Sequence, residues 1–157
     1  MQFLFVRIFE LGSYFKKIKN MQFRINKVQF IYQDEELYIN GKLIECPQKI
    51  LQALILFVTS KNEIISKDTL LYKLWGELIV SEDSLFKVVQ GVRKIFKENG
   101  VEGEVLINVY GKGYKINPKI KKAFFQIPTK EIPIIVLQNK INHKRFKRSM
   151  ILAIGVL

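Results

Sequence analysis

Between residues 23 and 45 apolar side chains alternate with polar ones: Phe23, Ile25, Val28, Phe30 and Tyr32, then Leu37, Ile39 and Leu43. A period of two is the pattern of half-buried strands. Asn40-Gly41 interrupts it with the residue pair that best tolerates the positive φ angles of a tight hairpin. The stretch predicts a small antiparallel sheet. After Pro47 the period changes: Ile50, Leu51, Leu54, Phe57 and Val58 recur at helical spacing, and Pro is tolerated in a first turn whose N–H has no intrahelical partner. Ser66 is a good N-cap for a second helix burying Leu70, Leu71, Leu74 and Trp75, which Gly76 stops. Ser81 caps a third, with Glu82 and Asp83 in the first turn where the helix dipole favours acids; Leu85, Val89, Val92 and Phe96 form its inward stripe, and Asn99-Gly100 ends it. Val105, Ile107 and Val109 then alternate into Tyr110-Gly111-Lys112-Gly113-Tyr114-Lys115-Ile116, two strands about a glycine-rich turn.

The 157 residues suit one domain with extensions, and 48% hydrophobic content supplies a real core. The formal charge of +12 is unevenly placed: +3 over residues 1–20, +1 over 21–118 and +8 over 119–157. Nucleic-acid binding by the central part must therefore rest on local clustering of its lysines and arginines. Cys46 and His143 are single, which excludes a disulfide framework and a multi-Cys or His-rich metal site. No phosphate-cradling loop stands between a strand and a helix, and Ser66, Ser81 and Ser84 are accounted for as caps or contacts, with no partners for a triad. Neither enzyme activity, a cofactor nor a metal is expected.

Three helices followed by a β-hairpin is the element order of a winged helix-turn-helix. The fold expected is α+β, with an N-terminal antiparallel sheet, three helices and a C-terminal hairpin wing. A third helix of this kind fits the major groove, about 12 Å wide. With Leu85, Val89, Val92 and Phe96 inward, the opposite stripe is Ser84, Lys87, Gln90 or Gly91, and Lys94, flanked by Arg93 and Lys97. Lys87 suits guanine or phosphate, Gln90 suits adenine, and Arg93, Lys94 and Lys97 suit phosphates. Tyr110, Lys112 and Lys115 give the hairpin a basic, aromatic tip for the backbone or a minor groove.

Over residues 23–118 the chain resembles the OmpR/PhoB-type winged-helix output domain, in particular its ToxR/CadC-like transmembrane regulator branch. The residues that carry the resemblance are Ile65-Ser66-Lys67-Asp68, Leu74-Trp75-Gly76, Val80-Ser81, Val92-Arg93-Lys94 and the run from Val109 to Lys115. The resemblance implies that Trp75 touches the phosphate backbone, although its spacing with Leu71 and Leu74 equally suits the core. It implies that Ser84 begins the recognition helix, that Lys87, Val88, Gln90, Gly91, Arg93 and Lys94 face the groove, and that Asn108, Tyr110, Lys112 and Tyr114 belong to the wing. Gly76, Glu77, Leu78, Ile79 and Val80 match the loop with which family members contact RNA polymerase. The chain departs from the family pattern at Gly91, where a longer side chain is common, at Asp83, and at Asn108 in place of the usual Thr; these leave base preference open.

Outside the domain, Leu4, Ile8, Leu11, Phe15 and Ile18 fit an amphipathic helix, and no export signal is evident in residues 1–20. A second Met at position 21 admits the reading that translation starts there. Residues 119–149 are expected to be a basic linker. Residues 150–157 are uncharged, too few for the ~20 a membrane span needs, yet they follow Lys144, Arg145, Lys147 and Arg148 as a span follows its cytoplasmic flank. A truncated membrane segment is expected there. The partners expected are double-stranded promoter DNA, on which the protein dimerises, RNA polymerase, and the inner membrane through residues 150–157. The location is then the cytoplasmic face of that membrane, or the cytoplasm if the segment does not insert. A rival reading is a basic membrane-surface or protein-interaction module without specific DNA readout, its folded part a scaffold.

Overall fold

The computed structural model describes residues 15, 18 and 20–125, apart from 62 and 121. Four strands lead the domain: β1 (Asn20–Ile25), β2 (Val28–Gln33), β3 (Glu36–Ile39) and β4 (Lys42–Ile44). They form an antiparallel meander with two-residue turns. Each turn holds a residue of positive φ, at Asn26, at Asp34 and Glu35, and at Asn40 and Gly41. Only Asn40-Gly41 announces itself in the sequence; Asp34-Glu35 adopts the same left-handed pair without glycine. Helix α1 (Gln48–Thr59) follows from Pro47. Helix α2 (Lys67–Trp75) and helix α3 (Glu82–Glu98) start where expected, with Ser66 Oγ accepting from Thr69 N at 3.1 Å and Ser81 Oγ from Ser84 N at 3.4 Å. Gly76 ends α2 at φ 68°.

Strands β6 (Leu106–Val109) and β7 (Gly113–Ile116) form the wing, and β5 (Ile65–Ser66) adds a third strand to it by pairing Ile65 with Tyr114 and Ser66 with Gly113. Gly113 is required there: a Cβ on it would lie 2.1 Å from the Ile65 carbonyl oxygen. The first sheet also gains a fifth strand. Strand β8 (Lys122–Phe125), in the stretch the sequence marks as linker, pairs with β1 to give the order β4-β3-β2-β1-β8. Lys122 Nζ donates to the carbonyls of Val58 (3.1 Å) and Ser60 (2.5 Å), at the C-terminal end of α1, where carbonyls lack helical partners. Burial lowers the pKa of that amine.

One core joins sheet and helices. Phe23 and Phe30, paired across β1 and β2, stack at 4.9 Å between ring centroids, and Phe30 meets Phe96 of α3 edge-on at 5.8 Å. These are attractive aromatic geometries, and they seat α3 on the sheet by the side that bears Phe96. Phe15 and Ile18 are half-buried against the same core. The other residues of the expected N-terminal helix, and residues 126–157 with the basic tail and apolar terminus, lie outside the described residues. Among the described residues no helix is long and apolar enough to cross a membrane.

Candidate nucleic-acid interface

Helix α3 divides its surface as its period demands. Leu85, Val89, Val92 and Phe96 are buried, joined on either flank by Val88 and Ile95. Asp83, Phe86, Lys87, Gln90, Lys94 and Lys97 are exposed along the opposite side. At 17 residues the exposed stripe runs about 25 Å at a rise of 1.5 Å per residue, enough to lie in a groove. Lys94 sits 3.7 Å from Glu98 one turn on, both exposed, a weak pair that exchange with a phosphate would not penalise heavily. At the other end Glu82 is held by Lys67 of α2 at 2.7 Å, which raises the Lys67 pKa and draws that carboxylate away from the exposed stripe.

Several expected groove residues have other partners. Val88 is 8% exposed and so belongs to the core; Tyr114 stands in the wing strand β7 as expected, but with its side chain inward and only 6% exposed. Gly91 turns toward α1, where a Cβ would stand 2.3 Å from Ile50 Cδ1. It is a close-packing position, and Ile50 fills the space that a longer side chain would need. Arg93 is bound at the base of the wing: Nε and one terminal nitrogen donate to the Leu106 carbonyl at 3.2 and 2.9 Å, and Glu104 stands 3.7 Å away. Its guanidinium joins α3 to the wing. Ser84 is half-buried with its hydroxyl 3.2 Å from that of Ser81.

The wing tip projects freely. Lys112 N donates to Val109 O at 2.9 Å to close the turn, Gly111 supplies the positive φ of 67°, and Tyr110 is 97% exposed beside exposed Lys112 and Asn108. Trp75, the last residue of α2, satisfies both readings in part: it packs on the core but keeps one side open, with Lys49 Nζ 5.9 Å from its ring centre and donating to the Leu74 carbonyl. Of the loop over residues 76–80, Glu77, Leu78 and Ile79 are exposed while Gly76 and Val80 are half-buried. Two adjacent aliphatic side chains in open solvent are a surface feature the sequence pattern alone does not disclose. Phe86, half exposed on the solvent side of α3, is another; the rule that places aromatic residues inward hides it.

Residues 41–116 match the family described as Transcriptional regulatory protein, C terminal. The transcriptional regulator HilA of Salmonella typhimurium is 30% identical over 99 residues, 59% of this chain and 18% of HilA. The transcriptional regulatory protein YvrH of Bacillus subtilis is 26% identical over 107 residues, 66% of this chain and 45% of YvrH. The chain thus spans less than half the length of either relative. The DNA-binding domain of Escherichia coli CadC superposes with a TM-score of 0.54 at 19% identity, covering 66% of this chain and 97% of that domain, a likeness of fold.

Proposed function

We propose that this chain, whose residues 41–116 match the family described as Transcriptional regulatory protein, C terminal, is an OmpR/PhoB-type DNA-binding domain that recognises specific promoter sites in double-stranded DNA, with α3 in the major groove and the wing on the adjacent backbone. The observation that carries the reading is the exposed stripe of Lys87, Gln90, Lys94 and Lys97 along a helix whose other side is fixed in the core. Gln90 offers a bidentate amide to adenine; the lysines neutralise phosphates or reach guanine. Tyr110, Lys112 and Asn108 take the wing contacts, and Trp75 with Lys49 borders the site at the end of α2.

The exposed loop at residues 76–80 serves RNA polymerase in this reading, its Leu78 and Ile79 being the apolar contacts. Residues 150–157 begin a membrane segment, which places the domain at the cytoplasmic face of the inner membrane, and the protein dimerises on its DNA. Support for the anchor is the run of basic residues that precedes the apolar one.

The test is electrophoretic retardation of genomic fragments by wild type and by Lys87→Ala and Lys94→Ala. Each variant is expected to bind more weakly, and a lysine that neutralises one phosphate should reduce the slope of log affinity against log salt by about 1. Undiminished retardation by both variants, or affinity indifferent to salt, refutes the assignment.

A further inference from the structure

We propose that Phe86 reads a thymine methyl group in the major groove, and so sets part of the base preference that the polar residues of α3 do not. The inference rests on the reading of α3 as the groove helix. Phe86 is 50% exposed, one turn before Gln90 and beside Lys87, and shares the exposed side with Asp83, Lys94 and Lys97. A half-open aromatic ring in a row of charged and polar side chains gains nothing from water. In the major groove the C5-methyl of thymine is the apolar group that base edges present, and a phenyl ring is among the side chains that pack on it.

The neighbours define the geometry of such a contact. Lys87 and Lys94 hold the helix to the phosphate-lined groove, and Gln90, four residues on, lies one turn further along the same side. Four residues advance about 6 Å along the helix against about 3.4 Å per base-pair step, so a methyl contact under Phe86 and an adenine contact under Gln90 fall within two base pairs of each other. The site is expected to favour a thymine within two base pairs of an adenine on the strand or strands that these two side chains reach. Phe86 is unlike Leu78 and Ile79 in this respect, because it stands among the lysines of the helix and not in the loop that precedes it.

The protein itself can identify the operator for the experiment. The full chain selects its site from a random-sequence duplex pool, and each thymine of the selected site is then replaced singly by deoxyuridine. That exchange removes the methyl and keeps every hydrogen-bonding group. Wild type is expected to lose about fourfold in affinity at one thymine per half-site, the worth of one buried carbon. Phe86→Ala should bind the thymine and uracil forms of that position equally, and Phe86→Leu should retain discrimination. Phe86 is half in solvent, so neither variant is expected to disturb folding, which circular dichroism verifies. A selected site at which no thymine-to-uracil exchange matters, or at which Phe86→Ala preserves the ratio, overturns the inference while leaving DNA recognition intact. Impaired transcriptional activation with unchanged DNA selectivity also overturns it, by assigning Phe86 to a protein partner. Failure of the pool to enrich at all overturns the DNA-binding reading itself.

Discussion

Replacing Gly91 by alanine sets two effects of known sign against each other. Alanine in a helix interior is favoured over glycine by about 1 kcal/mol. The new Cβ, however, would lie 2.3 Å from Ile50 Cδ1, 2.9 Å from Cγ1 and 3.3 Å from Cγ2. Two of these contacts are shorter than carbon atoms tolerate. Rotation about χ2 can move Cδ1, but Cγ1 is placed by χ1, which a β-branched side chain in a helix holds in one strongly preferred rotamer, so the 2.9 Å contact stays. Overpacking of this kind costs roughly 1–3 kcal/mol, so the net expectation is a loss of about 1 kcal/mol, or a fall of about 4–8 °C in the midpoint for a domain of this size. In an Ile50→Ala background the obstruction is gone and only the helix preference remains. There Gly91→Ala should stabilise by about 1 kcal/mol. Urea unfolding of the four members of this cycle measures both signs, and their difference is the coupling between α1 and α3. Stabilisation of the otherwise unaltered protein by Gly91→Ala would refute the reasoning, as would equal effects in the two backgrounds.

Other outcomes follow from the same packing and hydrogen bonds. Arg93→Lys should fail to replace arginine, because a single ammonium nitrogen cannot converge on the Leu106 carbonyl from two positions as the planar guanidinium fork does; faster amide exchange across residues 106–116 and weaker DNA binding are expected. Ser66→Ala should cost about 1 kcal/mol of stability in denaturant titration and Ser81→Ala less, since the second cap bond is longer, 3.4 against 3.1 Å. Burial, and then the hydrogen bond to Glu36, raise the pKa of Tyr38 above its ordinary value of 10.0. The folded state thus keeps a proton the unfolded chain gives up, so this contribution is complete below pH 10 and is lost as pH rises above it. Tyr38→Phe should flatten the alkaline limb of a stability–pH profile.

What local chemistry dictates was legible in the sequence. Serine caps, the Asn40-Gly41 turn and the two-to-3.6 change of period depend on residues a few positions apart, and each stands where the pattern puts it. Strands β5 and β8 depend on Tyr114 and Ile25, 49 and 97 positions away along the chain, and carry no signal of their own. The site divides the same way. Lys87, Gln90, Lys94 and Lys97 follow from helical spacing once the apolar stripe is known. Gly91 and Arg93 stand on the flanks of that stripe, where the neighbour decides: Ile50 of α1 for one, Leu106 of the wing for the other. The resemblance puts Val88 at the groove and Tyr114 in the wing, yet both side chains lie in the core, because a resemblance transfers positions and not the depth at which side chains lie. Phe86 escapes because hydrophobicity alone points it inward.

The pairing of β8 with β1 has a topological corollary. Gln22 stands opposite Phe125 across the ladder, so the first and last strands of the described domain run side by side about 5 Å apart, one interstrand spacing. They lie in the sheet, behind the helix that carries the lysine stripe. A short peptide should close positions 20 and 125 into a ring, and a cut at the solvent-facing turn near Leu78 would then give a permuted chain with the same reading surface. A group attached at residue 20 or 125 would hang from the sheet, on the side of the domain away from the lysine stripe.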